Sequence, residues 1–204
     1  RYSLRESPLY IKLKEKKQVS TNPLKESFGN PLNLSYVLLA LFGATMGQGV
    51  VWYTGQFYAL FYLQKIFGVG LVDSNMIIGA ALLAGTPFFV LVGHLSDKYG
   101  RKPFMLWGMV LGFFTWLPIY QTMARFAPFI GNPADKVVNP AYSPFMLGVL
   151  VFIQVIYVTL AYGPIAAFLV ELFPTKIRYT SMSLPYHIGN GVFGGLVPII
   201  GLSL

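Results

Sequence analysis

Side chains that could bind a ligand or exchange protons fall into two groups in this 204-residue sequence. The first group is charged, and its members stand at the ends of apolar stretches: Asp97, Arg101, Glu171 and Arg178. The second group lies inside apolar stretches: Gln48, Trp52, Tyr53, Gln56, Tyr157, Tyr186, His187 and Asn190. Charges of the first kind can pair between segment ends, and the polar groups of the second kind can hold a polar ligand.

Enzymatic chemistry is not expected from this set. The sequence has no cysteine, two histidines and seven acidic residues, so we find neither a nucleophile with a neighbouring base nor a metal-ligand cluster. We therefore predict a protein that is not an enzyme and has no catalytic residue, metal or cofactor. The net charge of +8 is scattered between apolar blocks, which argues against nucleic acid as a partner.

The segments that must position the polar side chains are five apolar stretches. Only 11% of the residues are charged, against about 25% in an average soluble domain. A membrane-spanning helix needs about 20 apolar residues. The stretches that meet this length cover about 34–64, 74–96, 103–124, 144–171 and 181–204. The sequence thus predicts an all-α membrane protein, a helical bundle surrounded by lipid.

Cap and turn residues support these boundaries. We expect Asp73 or Ser74 to cap the second helix, and Ser143 followed by Pro144 to begin the fourth. Gly163-Pro164 interrupts the fourth stretch and removes a backbone N–H, which predicts a bend or hinge. Since five helices close a bundle poorly, we also expect a sixth helix to follow in a longer protein.

The basic residues predict an orientation. Residues 1–33 form a linker with seven basic side chains, in which 10–17 could be a short amphipathic helix. If this linker is cytoplasmic, twelve Lys and Arg residues lie inside and three lie outside (Lys65, Arg125 and Lys136). An excess of Lys and Arg marks the cytoplasmic side, so residues 34–204 form a multi-pass bundle whose N-terminal linker is cytoplasmic.

Three motifs carry a resemblance to a known family. The turn from Gly93 to Lys102 reads GHLSDKYGRK, which resembles G-x-L-a-D-r-x-G-R-k, the signature loop of the major facilitator superfamily. Residues 171–178 read ELFPTKIR and resemble the segment that follows the tenth helix of sugar porters. Residues 5–8, RESP, resemble the start of the linker between the two transporter halves. The resemblance implies the linker and helices seven to eleven of the C-terminal half, with the last helix absent.

Departures from the sugar-porter pattern shift the resemblance within the superfamily. Residues 47–56 lack the paired glutamines that hold sugar hydroxyls, and residues 163–167 keep the Gly-Pro break without the tryptophan that follows it. Together with residues 184–190, LPYHIGN, the chain looks most like the metabolite–proton symporters. This implies a small carboxylate or zwitterion as substrate, protons as partners and a bacterial inner membrane as location.

The resemblance also implies roles for the two groups of side chains. Asp97, Arg101, Glu171 and Arg178, with Gly93 and Gly100, are expected to form a gating network for alternating access. The second group is expected to line the substrate path, completed by the N-terminal half. That half must also hold any acidic proton carrier, because no Asp or Glu lies inside the five spans apart from Glu171 at the end of the fourth. A proton-driven exporter, a passive facilitator and a non-transporting sensor or scaffold remain alternatives.

Overall fold

A computed structural model describes residues 20–130 and 137–203, together with Ile11, Lys14 and Glu15. The predicted RESP motif at 5–8, most of the segment 10–17 and Lys136 lie outside the described residues.

Six helices make up most of the described chain, and they are numbered here in chain order. Helix α1 is Pro23–Gly29, α2 is Pro31–Lys65, α3 is Leu71–Tyr99, α4 is Arg101–Arg125, and α5 is Pro144–Leu172. Helix α6 covers 178–203 in three successive pieces, Arg178–Ile188, Gly189–Gly194 and Gly195–Ser203. Two short antiparallel strands, β1 (Phe129–Ile130) and β2 (Val137–Val138), flank the tip of the α4–α5 loop.

The prediction of an all-α membrane bundle is confirmed, but the number of spanning helices differs. Within the described residues, four helices are long and apolar enough to cross a membrane: α2, α3, α4 and α5. The fifth predicted span is helical as α6 without being one of these four. Its first piece carries Arg178, several hydroxyl groups and His187, which make it less apolar than the other helices.

Two helix starts differ from the prediction, and one agrees. Helix α3 begins at Leu71 after Gly70, so neither Asp73 nor Ser74 caps it. The Ser74 hydroxyl instead accepts a hydrogen bond from Gln64 Nε2 at 2.9 Å. Helix α2 begins at Pro31, where the Asn30 side chain accepts from the Leu32 backbone N–H. Helix α5 begins as predicted, with the Ser143 side chain accepting from the Met146 N–H.

Helix α1 was not predicted, because it lies inside the stretch interpreted as linker. It docks on α6 through a hydrogen bond of 2.8 Å between the Ser181 and Ser27 hydroxyls, and both side chains are fully buried. An ion pair of 3.1 Å joins Glu26 to Lys176, in the loop between α5 and α6. The linker is therefore attached to the bundle from Pro23 onward.

Close helix packing depends on glycines at the crossings. Helix α5 packs between α3 and α4, and α2 packs on α6. A Cβ at Gly108 of α4 would lie 2.8 Å from the Tyr157 carbonyl oxygen of α5, and one at Gly189 of α6 would lie 2.7 Å from the Thr45 carbonyl carbon of α2. These are backbone approaches that a larger residue would force apart.

Three segments have π-helical hydrogen bonding: Leu41–Thr45 and Thr54–Tyr58 in α2, and Gly189–Gly194 in α6. The first and third meet where α2 crosses α6, and there Thr45 Oγ1 donates to the Pro185 carbonyl at 2.8 Å. A π segment accommodates an extra residue in a helix and often occurs at functional sites. The polar residues of α2 and α6 are thus placed beside irregular helical turns.

Candidate functional site

A cluster of three charges joins the ends of three helices. Arg101, the first residue of α4, pairs with Asp97 Oδ1 of α3 at 2.6 Å. Its Nε and Nη2 atoms lie 2.9 and 2.8 Å from Glu171 Oε1 of α5. The Arg101 side chain is 17% exposed, whereas both carboxylate side chains are 60% exposed. Arg101 is therefore the inner member of the cluster, held by two carboxylates that face outward.

Gly100 brings this cluster together. It is the only residue between α3 and α4, and its φ of 95° lies in the region that favours glycine. Gly93 does not contribute to the turn, because it lies within α3 and an added Cβ would meet nothing within 4 Å. Arg178 does not join the cluster either, since its Nε donates to the Phe173 carbonyl at 3.1 Å.

Two amides of the second group pair with each other across the bundle. Gln48 Nε2 donates to Asn190 Oδ1 at 3.1 Å, and Asn190 Nδ2 donates back to Gln48 Oε1 at 3.3 Å. Asn190 also donates to the Tyr186 carbonyl at 3.0 Å. Gln48 is fully buried, so its amide links α2 to α6 and does not face an open cavity in this conformation.

Three aromatic residues link α2, α5 and α6 next to this amide pair. The Trp52 and Tyr162 rings lie 4.3 Å apart between centroids, and the Tyr162 and Tyr186 hydroxyls share a hydrogen bond of 2.6 Å. His187 packs edge-on against Tyr186 at 5.7 Å and is exposed on its other side. Tyr162 is central to this group, although its position in the fourth apolar stretch did not distinguish it from its neighbours as a candidate site residue.

The other predicted residues of the second group face elsewhere. The buried Tyr157 faces α4, where the Thr115 hydroxyl donates a hydrogen bond of 3.1 Å to the Tyr157 hydroxyl. Tyr53 packs on Phe57, with ring centroids 5.1 Å apart. Gln56 is buried, and its Nε2 has no hydrogen-bond partner among the described residues. The predicted substrate path is therefore divided between a central group and separate packing sites.

The predicted hinge coincides with a break in α5. Helical structure stops at Tyr162 and resumes at Ile165. A Cβ at Gly163 would lie 2.7 Å from the Thr159 carbonyl oxygen, to which the Gly163 N–H also donates at 2.9 Å. Gly163 and Pro164 both keep right-handed helical backbone angles, so the break interrupts helical hydrogen bonding without a sharp turn, and its role in movement stays a prediction.

Nearly the whole chain matches the model of a known protein family. Residues 4–200 match the model described as "Sugar (and other) transporter". The chain belongs to this transporter family of the major facilitator superfamily. The predicted superfamily is thus confirmed, and membership in a family of transporters also supports the prediction that the chain is not an enzyme. Within the described residues, no group of three His, Cys, Asp or Glu side chains could hold a metal ion.

Relatives with assigned names are bacterial transport proteins. The chain is 29% identical to an alpha-ketoglutarate permease of Escherichia coli over 94% of its own length and 41% of the relative's. It is 27% identical to the "Inner membrane metabolite transport protein YhjE" of the same species, over 100% of the chain and 43% of the relative. A citrate-proton symporter of Klebsiella pneumoniae is 28% identical over 72% of the chain and 30% of the relative.

These relatives are longer than the chain, and they also indicate the membrane in which it lies. The chain spans less than half the length of each of these relatives. Their bacterial origin and the four apolar helices confirm the predicted location, a multi-pass protein of a bacterial inner membrane. No solved structure matches the chain.

Proposed function

We propose that this chain forms the C-terminal half of a secondary active transporter that moves a small polar metabolite by alternating access. The observation that carries the proposal is the amide and aromatic group at the junction of α2, α5 and α6. Gln48, Asn190, Trp52, Tyr162 and Tyr186 bring polar atoms together within an apolar bundle, where side chains of this kind mark substrate pathways.

The charge cluster supports the alternating-access part of the proposal. Arg101 holds α4 to α3 and α5 at the end of the bundle where the Lys and Arg excess is expected to face the cytoplasm. Breaking contacts between helix ends biases the equilibrium between two conformations. Asp97, Arg101 and Glu171 are thus the gating residues of the proposal, and Gly163 with Pro164 is its hinge.

The substrate class and the coupling are proposed from the relatives. The names of two of them include alpha-ketoglutarate and citrate, and one is named as a proton symporter. We propose a small carboxylate or a zwitterion as substrate, symported with protons. An N-terminal half of the same protein would complete the substrate path and supply any acidic proton carrier.

Uptake of labelled organic acids into vesicles that contain the full-length protein tests the proposal. We expect accumulation that depends on an inward proton gradient and stops when an uncoupler is added. Uptake that an uncoupler does not affect would indicate a passive facilitator. The absence of uptake for carboxylates and zwitterions alike would favour a sensor or scaffold.

A further inference from the structure

A cavity of about 370 Å³ lies between the second part of α5 and the first part of α6. Its volume falls in the range of about 300–1,000 Å³ that is typical of sites for small molecules. Its apolar wall consists of Ile165, Ala166, Leu169 and Met182. Its polar wall consists of Tyr162, Tyr179, Ser183, Tyr186 and His187. Among the described residues that line it, none is acidic.

The two tyrosine hydroxyls at the inner end leave one hydrogen free for a ligand. Tyr162 and Tyr186 have two hydroxyl hydrogens between them, and the bond of 2.6 Å uses only one. The hydrogen bond from Asn190 goes to the Tyr186 backbone carbonyl and does not occupy either hydroxyl. The pair can therefore donate to an acceptor placed in the cavity.

The outer part of the cavity carries further donors without partners. Tyr179, Ser183 and His187 are exposed, and their side chains form no hydrogen bond within the described part of the chain. A hydroxyl group and an imidazole ring can each donate at least one hydrogen bond in every protonation state at neutral pH. An ionised carboxylate only accepts hydrogen bonds, so its requirements match this wall.

The adjoining helix end also favours an anion. Tyr179 lies in the first turn of the piece Arg178–Ile188, where no side chain caps the backbone N–H groups. The N-terminus of a helix carries partial positive charge, and the Arg178 side chain adds a full charge beside it.

We propose that this cavity binds a carboxylate group of the transported metabolite, with Tyr162, Tyr186, Ser183 and His187 as hydrogen-bond donors. The proposal rests on the transport function proposed above and names the group and the site that recognises it. Because Tyr162 also contacts Trp52 of α2, a ligand in the cavity would be connected to the central polar group.

The test uses the full-length transporter in proteoliposomes, with labelled α-ketoglutarate as the probe. The variant Tyr186→Phe/Ser183→Ala removes two donors and keeps the ring. We expect its KM to rise about tenfold or more, as for lost hydrogen bonds to a charged group. The matched control is Tyr58→Phe, which removes a hydroxyl that bonds to the Gly201 carbonyl of α6, outside the cavity. Its KM should stay unchanged.

Competition defines the recognised group. Other dicarboxylates should inhibit uptake of labelled α-ketoglutarate, whereas its dimethyl ester, which has no ionised carboxylate, should not. If the double variant does not fold, Ser183→Ala alone replaces it, because this exposed side chain forms no hydrogen bond among the described residues.

The outcomes separate this proposal from the proposed function. An unchanged KM in the variant, with normal uptake, would overturn the cavity and leave transport standing. Inhibition by the dimethyl ester as strong as that by free dicarboxylates would overturn the carboxylate assignment. Failure of the unmodified protein to take up carboxylates and zwitterions alike would contradict the proposed function itself.

Discussion

Replacing Gln48 with leucine would leave the Asn190 amide without its partner inside the bundle. The two reciprocal bonds of 3.1 and 3.3 Å are lost together. Interhelical side-chain hydrogen bonds in membranes contribute about 0.6 kcal/mol each on average, so we expect a coupling of about 1 kcal/mol between the two amides. Each single leucine variant should cost about 1–3 kcal/mol, because a buried polar group loses its partner.

The double variant Gln48→Leu/Asn190→Leu makes the expectation testable, because it removes both polar groups. Its loss in unfolding free energy should be smaller than the sum of the two single losses by about the coupling energy. The measurement is denaturant unfolding of the purified full-length protein, with labelled uptake on the same variants. Losses that add within about 0.3 kcal/mol would refute the tether. If Gln48 also contacts substrate, KM should rise in both variants that lack Gln48 and not in Asn190→Leu alone.

Three further variants probe the charge cluster, the hinge and the linker. Asp97→Asn should reduce uptake with normal membrane insertion, because its ion pair with Arg101, in which the carboxylate side chain is 60% exposed, contributes only about 0–1 kcal/mol to stability. Normal uptake in Asp97→Asn and Glu171→Gln together would contradict gating. Gly163→Ala should change the maximal rate more than KM, and an unchanged rate would argue against a hinge. The hydrogen bond from Lys176 lowers the pKa of Glu26 below its usual 4.5. The carboxylate therefore stabilises α1 docking fully above pH 4.5, and this stabilisation is lost as the pH falls through the lowered pKa. Faster hydrogen exchange of α1 in Glu26→Gln than in the unmodified protein at pH 7 would support this, and equal exchange would contradict it.

The parts that sequence reasoning predicted well depend on local chemistry. Gly100 between a charged helix end and Arg101 indicated a tight turn, and the turn brings Asp97 and Arg101 together. Ser143 before Pro144 indicated a helix start for the same kind of reason. Spacing and residue type are sufficient in such cases because the interacting groups are close in sequence.

The parts that it did not predict depend on contacts between distant segments. Ser27 and Ser181 are 154 positions apart, and nothing local distinguishes Ser27 from a solvated linker residue. Tyr162 became central only because α2 and α6 bring the Trp52 ring and the Tyr186 hydroxyl to it. Arg178 was assigned to the charge cluster by its motif, but the chain turns back so that it bonds to Phe173.

The π segments of α2 have a consequence for changes in chain length. In a regular α-helix each residue advances the side-chain direction by about 100°, and a π segment absorbs one extra residue without ending the helix. Deleting one residue within Leu41–Thr45 would therefore remove the wide turn and restore α-helical winding, while the later side chains of α2 keep their directions. Gln48 would then still face Asn190. A π segment thus lets α2 gain or lose a single residue without changing the face that it presents to the substrate path, while its backbone stays hydrogen-bonded.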